Sequence, residues 1–270
     1  MHPTEEHFPS RHGQKEKSPG QSLPIGIPIP HSTCSEYNAR SQSIWEEVLR
    51  VFSLTPIWLA PDRIPFPRFS GPRVYGLILP GSPADWHWDP ELYSAGASAE
   101  KIRSPDFVRE RVDSWLIEWA WDKELPLLGV CYGLQSLNVC LGGKLHSHVE
   151  GHSEGTHRMD VEPGTRLWKL LTGEGRFSSW VVNSSHHQAV DPSALGQGLR
   201  VSAFASEDQV VEALEGQRED WFLFGVQWHP ERDWEQSPAS KALLGAFAQA
   251  AQTYARSQGI TLKWKREASR

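Results

Sequence analysis

Three cysteines in 270 residues are too few for a disulfide framework. The scarcity points to a reducing cytoplasm and leaves each thiol to be judged by its own surroundings. No apolar run approaches the length of a membrane span, and none follows a basic N-terminus, so neither a transmembrane helix nor a signal peptide is expected. Positive charge is not in surplus either. With 27 basic against 33 acidic residues the net charge is −6, which argues against a nucleic-acid-binding face. There is no internal repeat. What is left is a chain long enough for one large α/β domain, with homo-oligomerisation left open. Its one excess is 13 tryptophans, which composition assigns to core and rim as readily as to a ligand.

Residues 1–22 are polar and rich in Pro, Gly, Lys and Glu, and read as a disordered tail. Residues 258–270 form a short basic tail of similar character, leaving 23–257 as a single domain. Within it, β-rich runs alternate with helical periods. Strands are expected at Pro24–Ile29, Pro56–Ala60, Val74–Leu79 and Pro126–Val130. Further strands fall near Trp180–Val182, Leu199–Ala205, Gln209–Leu214 and Phe222–Gln227. Helices are expected over Ser41–Phe52, Asp106–Lys123 (with Ser104 as cap and Pro105 as first residue), Cys131–Leu141 and Pro238–Arg256. The alternation predicts a mostly parallel sheet with helices on both faces. The unbroken apolar run at Pro126–Val130 belongs at its centre.

Two junctions carry chemistry. At Leu127-Leu128-Gly129-Val130-Cys131-Tyr132-Gly133-Leu134-Gln135 a buried strand runs into a helix with a cysteine at the turn and glycines two residues to either side. That is the cysteine form of a nucleophile elbow, in which small neighbours allow the tight turn and the first helical amides favour a thiolate. Taken alone, an inert buried cysteine at a helix start explains the pattern equally well. Cys140, among Leu137 and Val139, reads as core, and Cys34 lies in a polar loop without a motif. The second junction is Phe224-Gly225-Val226-Gln227-Trp228-His229-Pro230-Glu231. A strand ends on an imidazole, and a carboxylate follows that can fix its tautomer. Either motif could be chance; the two together rarely are.

These stretches, with Val-Asn-Ser-Ser-His-His-Gln-Ala-Val at Val182–Val190, resemble class I glutamine amidotransferases, and among them the γ-glutamyl-γ-aminobutyrate hydrolase family. The resemblance extends over roughly residues 24–255. It implies a flavodoxin-like sheet and hydrolysis of a small-molecule γ-glutamyl amide through a glutamyl-thioester, without a cofactor. Cys131 matches the nucleophile, His229 the base and Glu231 the third member of the triad. Gly81, in Leu79-Pro80-Gly81-Ser82, matches the turn whose amide stabilises the oxyanion, and the Tyr132 amide is its partner donor. Gln135, Ser185, His186 and His187 match positions that grip the glutamyl amino and carboxylate groups. Tyr132 stands where the hydrolase branch carries arginine, and Arg109-Glu110 stands in place of Arg-Asp. Tyrosine after the nucleophile looks more like some synthetase-linked amidotransferases, so a glutaminase subunit delivering ammonia to a partner synthetase remains an alternative. A silent relative acting as a binding protein is a third reading, against which the intact triad argues.

Two features stay outside the triad. Trp86 and Trp88 follow the Gly81 turn, either as an apolar or cation-binding wall for the leaving amine or as pins for the loop. His146, His148, His152 and His157, with His186 and His187, show no recognised zinc spacing. They read as a wet, partly substrate-facing loop, and no metal is assigned.

Overall fold

A computed structural model describes residues 22–32, 34–61, 73–87, 89–173 and 179–260. The tail expected at 1–22 lies outside these except for Ser22, and that at 258–270 except for its first three residues. The chain opens with strand β1 (Leu23–Pro28), helix α1 (Ser35–Val51), β2 (Leu54–Leu59) and β3 (Leu77–Leu79). Helix α2 (Phe107–Lys123), β4 (Leu127–Val130) and α3 (Tyr132–Cys140) follow. After β5 (Leu145–His146) and β6 (Thr156–Val161) come α4 (Arg166–Thr172), β7 (Ser179–Asn183) and β8 (Ala189–Val190). Strands β9 (Leu199–Ala205), β10 (Val211–Gly216) and β11 (Leu223–Val226) precede α5 (Pro230–Asp233) and α6 (Pro238–Ser257).

The main sheet has nine strands in the order β2-β1-β3-β4-β11-β10-β9-β6-β7. From β2 to β11 neighbours run parallel, and from β11 to β7 they run antiparallel. The α/β class expected from the alternation is therefore present, with an antiparallel extension on one side. Side-chain alternation builds a core on each face. Ile78, Leu128, Val130, Phe224 and Val226 meet α1, α4 and α6 through Trp45, Leu49, Leu167, Leu243 and Phe247. Leu77, Leu79, Leu127 and Leu223 meet α2 and α3 through Leu116, Ile117, Leu134 and Leu137. Every residue of β4 is buried, as its unbroken apolar run predicts.

Several boundaries move for local reasons. Helix α1 begins six residues before Ser41, at Ser35. Helix α2 starts after Asp106, whose carboxylate accepts from the Arg109 amide at 3.0 Å, so the aspartate and not Ser104 is the cap. Strand β6 and helix α4 escape the periodicity reading. In β6 only Met159 and Val161 are buried, and α4 is a seven-residue helix. What fixes α4 is distant in sequence. The buried Glu215 carboxylate of β10 accepts from the Arg166 and Leu167 amides, each at 2.9 Å. A buried charge needs such donors, and an open helix N-terminus supplies them.

Candidate active site

Strands β4 and β11 pair in parallel register, Val130 opposite Val226, and the Cys131 amide donates to the Val226 carbonyl at 2.8 Å. The residues leaving both strand ends are thereby placed side by side. Cys131 turns into α3 with φ 52° and ψ −105°. A non-glycine residue held there costs about 1–3 kcal/mol, so the surroundings must enforce it. They do so through backbone contact. A Cβ on Gly133 would lie 2.1 Å from the Leu79 carbonyl oxygen, and one on Gly129 would lie 2.5 Å from that of Gly133. Only glycine lets the strand, the elbow and the first turn of α3 approach so closely.

His229 Nδ1 donates to Glu231 Oε1 at 2.7 Å, which leaves Nε2 for the Cys131 sulfur. The imidazole and carboxylate are 2% and 8% exposed. Burial works against a charged imidazole, but the Glu231 carboxylate and then Cys131 outweigh it and push His229 up to about 9. Burial likewise raises Glu231, and the His229 charge and hydrogen bond outweigh it to hold the carboxyl below its ordinary value. At neutral pH the pair rests as imidazolium and carboxylate beside the sulfur, an arrangement that favours a thiolate nucleophile. Cys140, by contrast, is pushed up to about 12 by burial and by Asp113, and Cys34 is exposed.

Gly81 closes the site from β3. A methyl group on it would stand 2.6 Å from His229 Cε1 and 3.4 Å from the Tyr37 hydroxyl. The Pro80 carbonyl before it accepts from buried Arg109, which is itself bonded to Asp113 at 2.7 Å and lies over the Tyr132 ring. Gly81→Ala is expected to push the imidazole off line and lower kcat on the order of 100-fold, the usual cost of about 1 Å of misplacement. Steady-state kinetics on a variant whose melting temperature is near wild type checks this; unchanged turnover would show that the ring has room to move.

The other expected substrate-binding residues are placed as follows. The Ser185 carbonyl is 4.0 Å from Cys131 Sγ. Gln135 is buried, its amide donating to the Gln188 carbonyl at 3.0 Å. His187 bonds Asp85 at 2.8 Å, and the ring of His186 faces Glu212 and His152. Trp86 is 5% exposed and stacked on Tyr132 at 6.0 Å, and its amide donates to Gln188 Oε1. It packs on the Tyr132 ring, an arrangement that suits the pinning of the loop, the second of the two readings given to it. Trp88 lies outside the described residues.

Two contributors were missed by the sequence reading. Asn183 brackets the backbone of His229, accepting from its amide at 3.0 Å and donating to its carbonyl at 2.9 Å. Its signal was present in the Val-Asn-Ser motif. Tyr37 brings its hydroxyl to the Gly81–His229 corner, and burial together with the charges of Cys131 and Glu231 pushes that hydroxyl's pKa up. No motif surrounds it, and the helix carrying it was expected to begin after it.

Comparison with known proteins fits this geometry. A candidate glutamine amidotransferase of Mycobacterium tuberculosis is 37% identical over 187 residues, covering 64% of this chain and 56% of its own length. The γ-glutamyl-γ-aminobutyrate hydrolase PuuD of Escherichia coli K12 is 31% identical over 198 residues, 67% of this chain and 73% of that one. Among solved structures, the fold is shared with the glutaminase domain of Trypanosoma brucei CTPS at TM-score 0.59 and 16% identity, over 86% of this chain and 94% of that one. A glutamine amidotransferase of Thermotoga maritima superposes at TM-score 0.52 and 16% identity, over 88% and 86%. The family model described as Peptidase C26 matches residues 36–231, a span that takes in the elbow, the Gly81 turn and the whole His229–Glu231 pair. On that match the chain belongs to the Peptidase C26 family, a glutamine-amidotransferase-like family of amide-bond hydrolases.

Proposed function

We propose that the protein hydrolyses γ-glutamyl amides, with Cys131 as nucleophile. The observation that carries this is the pairing of the strained Cys131 elbow with the Glu231-bound imidazole of His229, beneath the Gly81 turn. The thiolate attacks the γ-carbonyl, and the oxyanion forms where the Gly81 and Tyr132 amides can donate to it. His229 gives its proton to the departing amine, and the C–N bond breaks to leave a glutamyl-thioester. Neutral His229 then takes a proton from water as the water attacks the thioester. Glutamate leaves, and thiolate and imidazolium are restored. The hydrolase name carried by the Escherichia coli relative supports the γ-glutamyl side of the substrate.

The test is a panel of γ-glutamyl amides and glutamine, with released glutamate and amine both measured. Cys131-dependent hydrolysis of the substituted amides, faster than that of glutamine, is the expected result. Glutaminase activity that rises only with an added synthetase would favour the ammonia-delivering reading instead. Absence of turnover on every amide would leave the binding-protein reading.

A further inference from the structure

Outside the triad, the chain gathers its histidines around one buried carboxylate. Glu212 of β10 is fully buried, and three imidazole nitrogens approach its Oε1: His157 Nε2 at 3.0 Å, His152 Nδ1 at 3.6 Å and His186 Nε2 at 3.7 Å. His152 and His186 are 4% and 6% exposed, so these two rings turn inward, while residues 150, 151 and 153–156 around His152 are exposed as expected of a wet loop. The rings are packed together, with centroids 4.7 Å apart for His152 and His157 and 4.8 Å apart for His152 and His186.

Hydrogen bonding does not account for the arrangement. Neither Glu212 oxygen has an aligned donor, and neither ring nitrogen of His157 an aligned partner. His152 Nε2 donates to Asp208 Oδ2 at 2.9 Å, so in the neutral ring Nδ1 carries a lone pair. The nearby Ser184 hydroxyl, 3.4 Å from that Nδ1, spends its proton on the His152 carbonyl at 2.8 Å. His186 Nδ1 donates to the Gln188 carbonyl at 3.0 Å, which turns its Nε2 toward Glu212 at 3.7 Å without a hydrogen bond. Three imidazole nitrogens thus converge on one carboxylate oxygen in a buried site without aligned hydrogen bonds, a convergence that a bound cation would satisfy.

We propose that His152, His157 and Glu212 form a structural site for a divalent transition-metal ion, with zinc the best fit and His186, whose Nε2 stands 3.7 Å from Oε1, as the fourth donor that closes on the ion. Three imidazoles and one carboxylate are a zinc donor set, and four protein donors make a closed site. Tetrahedral bonds of about 2.0–2.1 Å put donors about 3.3–3.4 Å apart, within the 3.0–3.7 Å range found around Oε1. The outward ring nitrogens are held by a carboxylate and a carbonyl, the usual outer partners of metal-bound histidine. Sequence spacing hid the site because its donors come from three separate segments: the approach to β6 and its second residue, the β7–β8 loop, and β10. The ion would tie these together immediately beside Ser185, whose carbonyl faces Cys131.

The test uses the full chain, stripped with chelator, re-equilibrated with zinc and desalted, with bound metal counted by mass spectrometry. One zinc per chain is expected, and cobalt in its place should give the intense visible spectrum of tetrahedral coordination. His152→Ala and Glu212→Gln should weaken binding more than about 100-fold, and Asp208→Asn about 10–100-fold, while His148→Ala leaves it unchanged. Asp208 has a half-exposed side chain, so that variant decides the matter if the buried ones fail to fold. A folded wild type that retains no zinc, as a cluster held by protons alone would, overturns the proposal. So does binding that survives undiminished in the cluster variants. Neither readout depends on amidase activity.

Discussion

Cys131→Ala is expected to abolish amide hydrolysis altogether, while Cys34→Ala and Cys140→Ala leave most of it. The three thiols differ in surroundings as well as in exposure. Cys34 is exposed, Cys140 is pushed up to about 12 by burial and Asp113, and Cys131 faces an imidazole held as its cation. With the His229 base beside its sulfur, Cys131 should be labelled first by brief iodoacetamide treatment although it is only 5% exposed. Mass spectrometry of the digested protein reads this directly. Preferential labelling of Cys34, combined with an active Cys131→Ala protein, would remove Cys131 from the chemistry.

His229→Asn should lower turnover by about 10⁴-fold or more, because the same ring must hold the proton for the leaving amine and later take one from water. Glu231→Gln should cost less, since the amide still accepts from Nδ1 while its charge is gone. The two variants also separate by pH. The wild-type imidazolium is needed to protonate the amine and is lost as pH rises through about 9, so kcat/KM should fall on that alkaline side. Burial favours the neutral ring, and the Glu231 charge is the first of the effects opposing it. Glu231→Gln should therefore shift the alkaline limb to lower pH. An unmoved limb, or a loss as large as that of His229→Asn, would mean that Glu231 does more than charge and orient the ring.

The elbow and the His-x-Glu pair could be read in the sequence because each is a strand end with its chemistry attached, and strand ends are local. The central place of β4 was legible for the same reason: an unbroken apolar run leaves no face for water. Tyr37, Asn183 and the histidines around Glu212 are brought together only by packing. Tyr37 stands on the first turn of α1, ahead of any apolar period, and Asn183 acts on a backbone 46 residues away. The position of α4 is equally tertiary, because Glu215 supplies its N-terminal acceptors from β10. Trp86 could not be assigned to either of its two readings from the sequence. Its place after the Gly81 turn suggested a ligand contact, but a large ring beside Tyr132 gains more from burial than from exposure.

Nucleophile and base stand at the ends of adjacent, hydrogen-bonded strands in the middle of the sheet, and the Cys131 amide is itself bonded to Val226. No hinge or loop lies between the two strand ends. Fluctuations that fray the edge strand β2 leave the β4–β11 pairing beneath the sulfur and imidazole alone, whereas fraying of β7 at the other edge would release the Asn183 bonds that hold the His229 backbone. On gradual denaturation the Cys131 elbow should thus be among the last features lost, and activity should disappear earlier, when β7 lets go of His229.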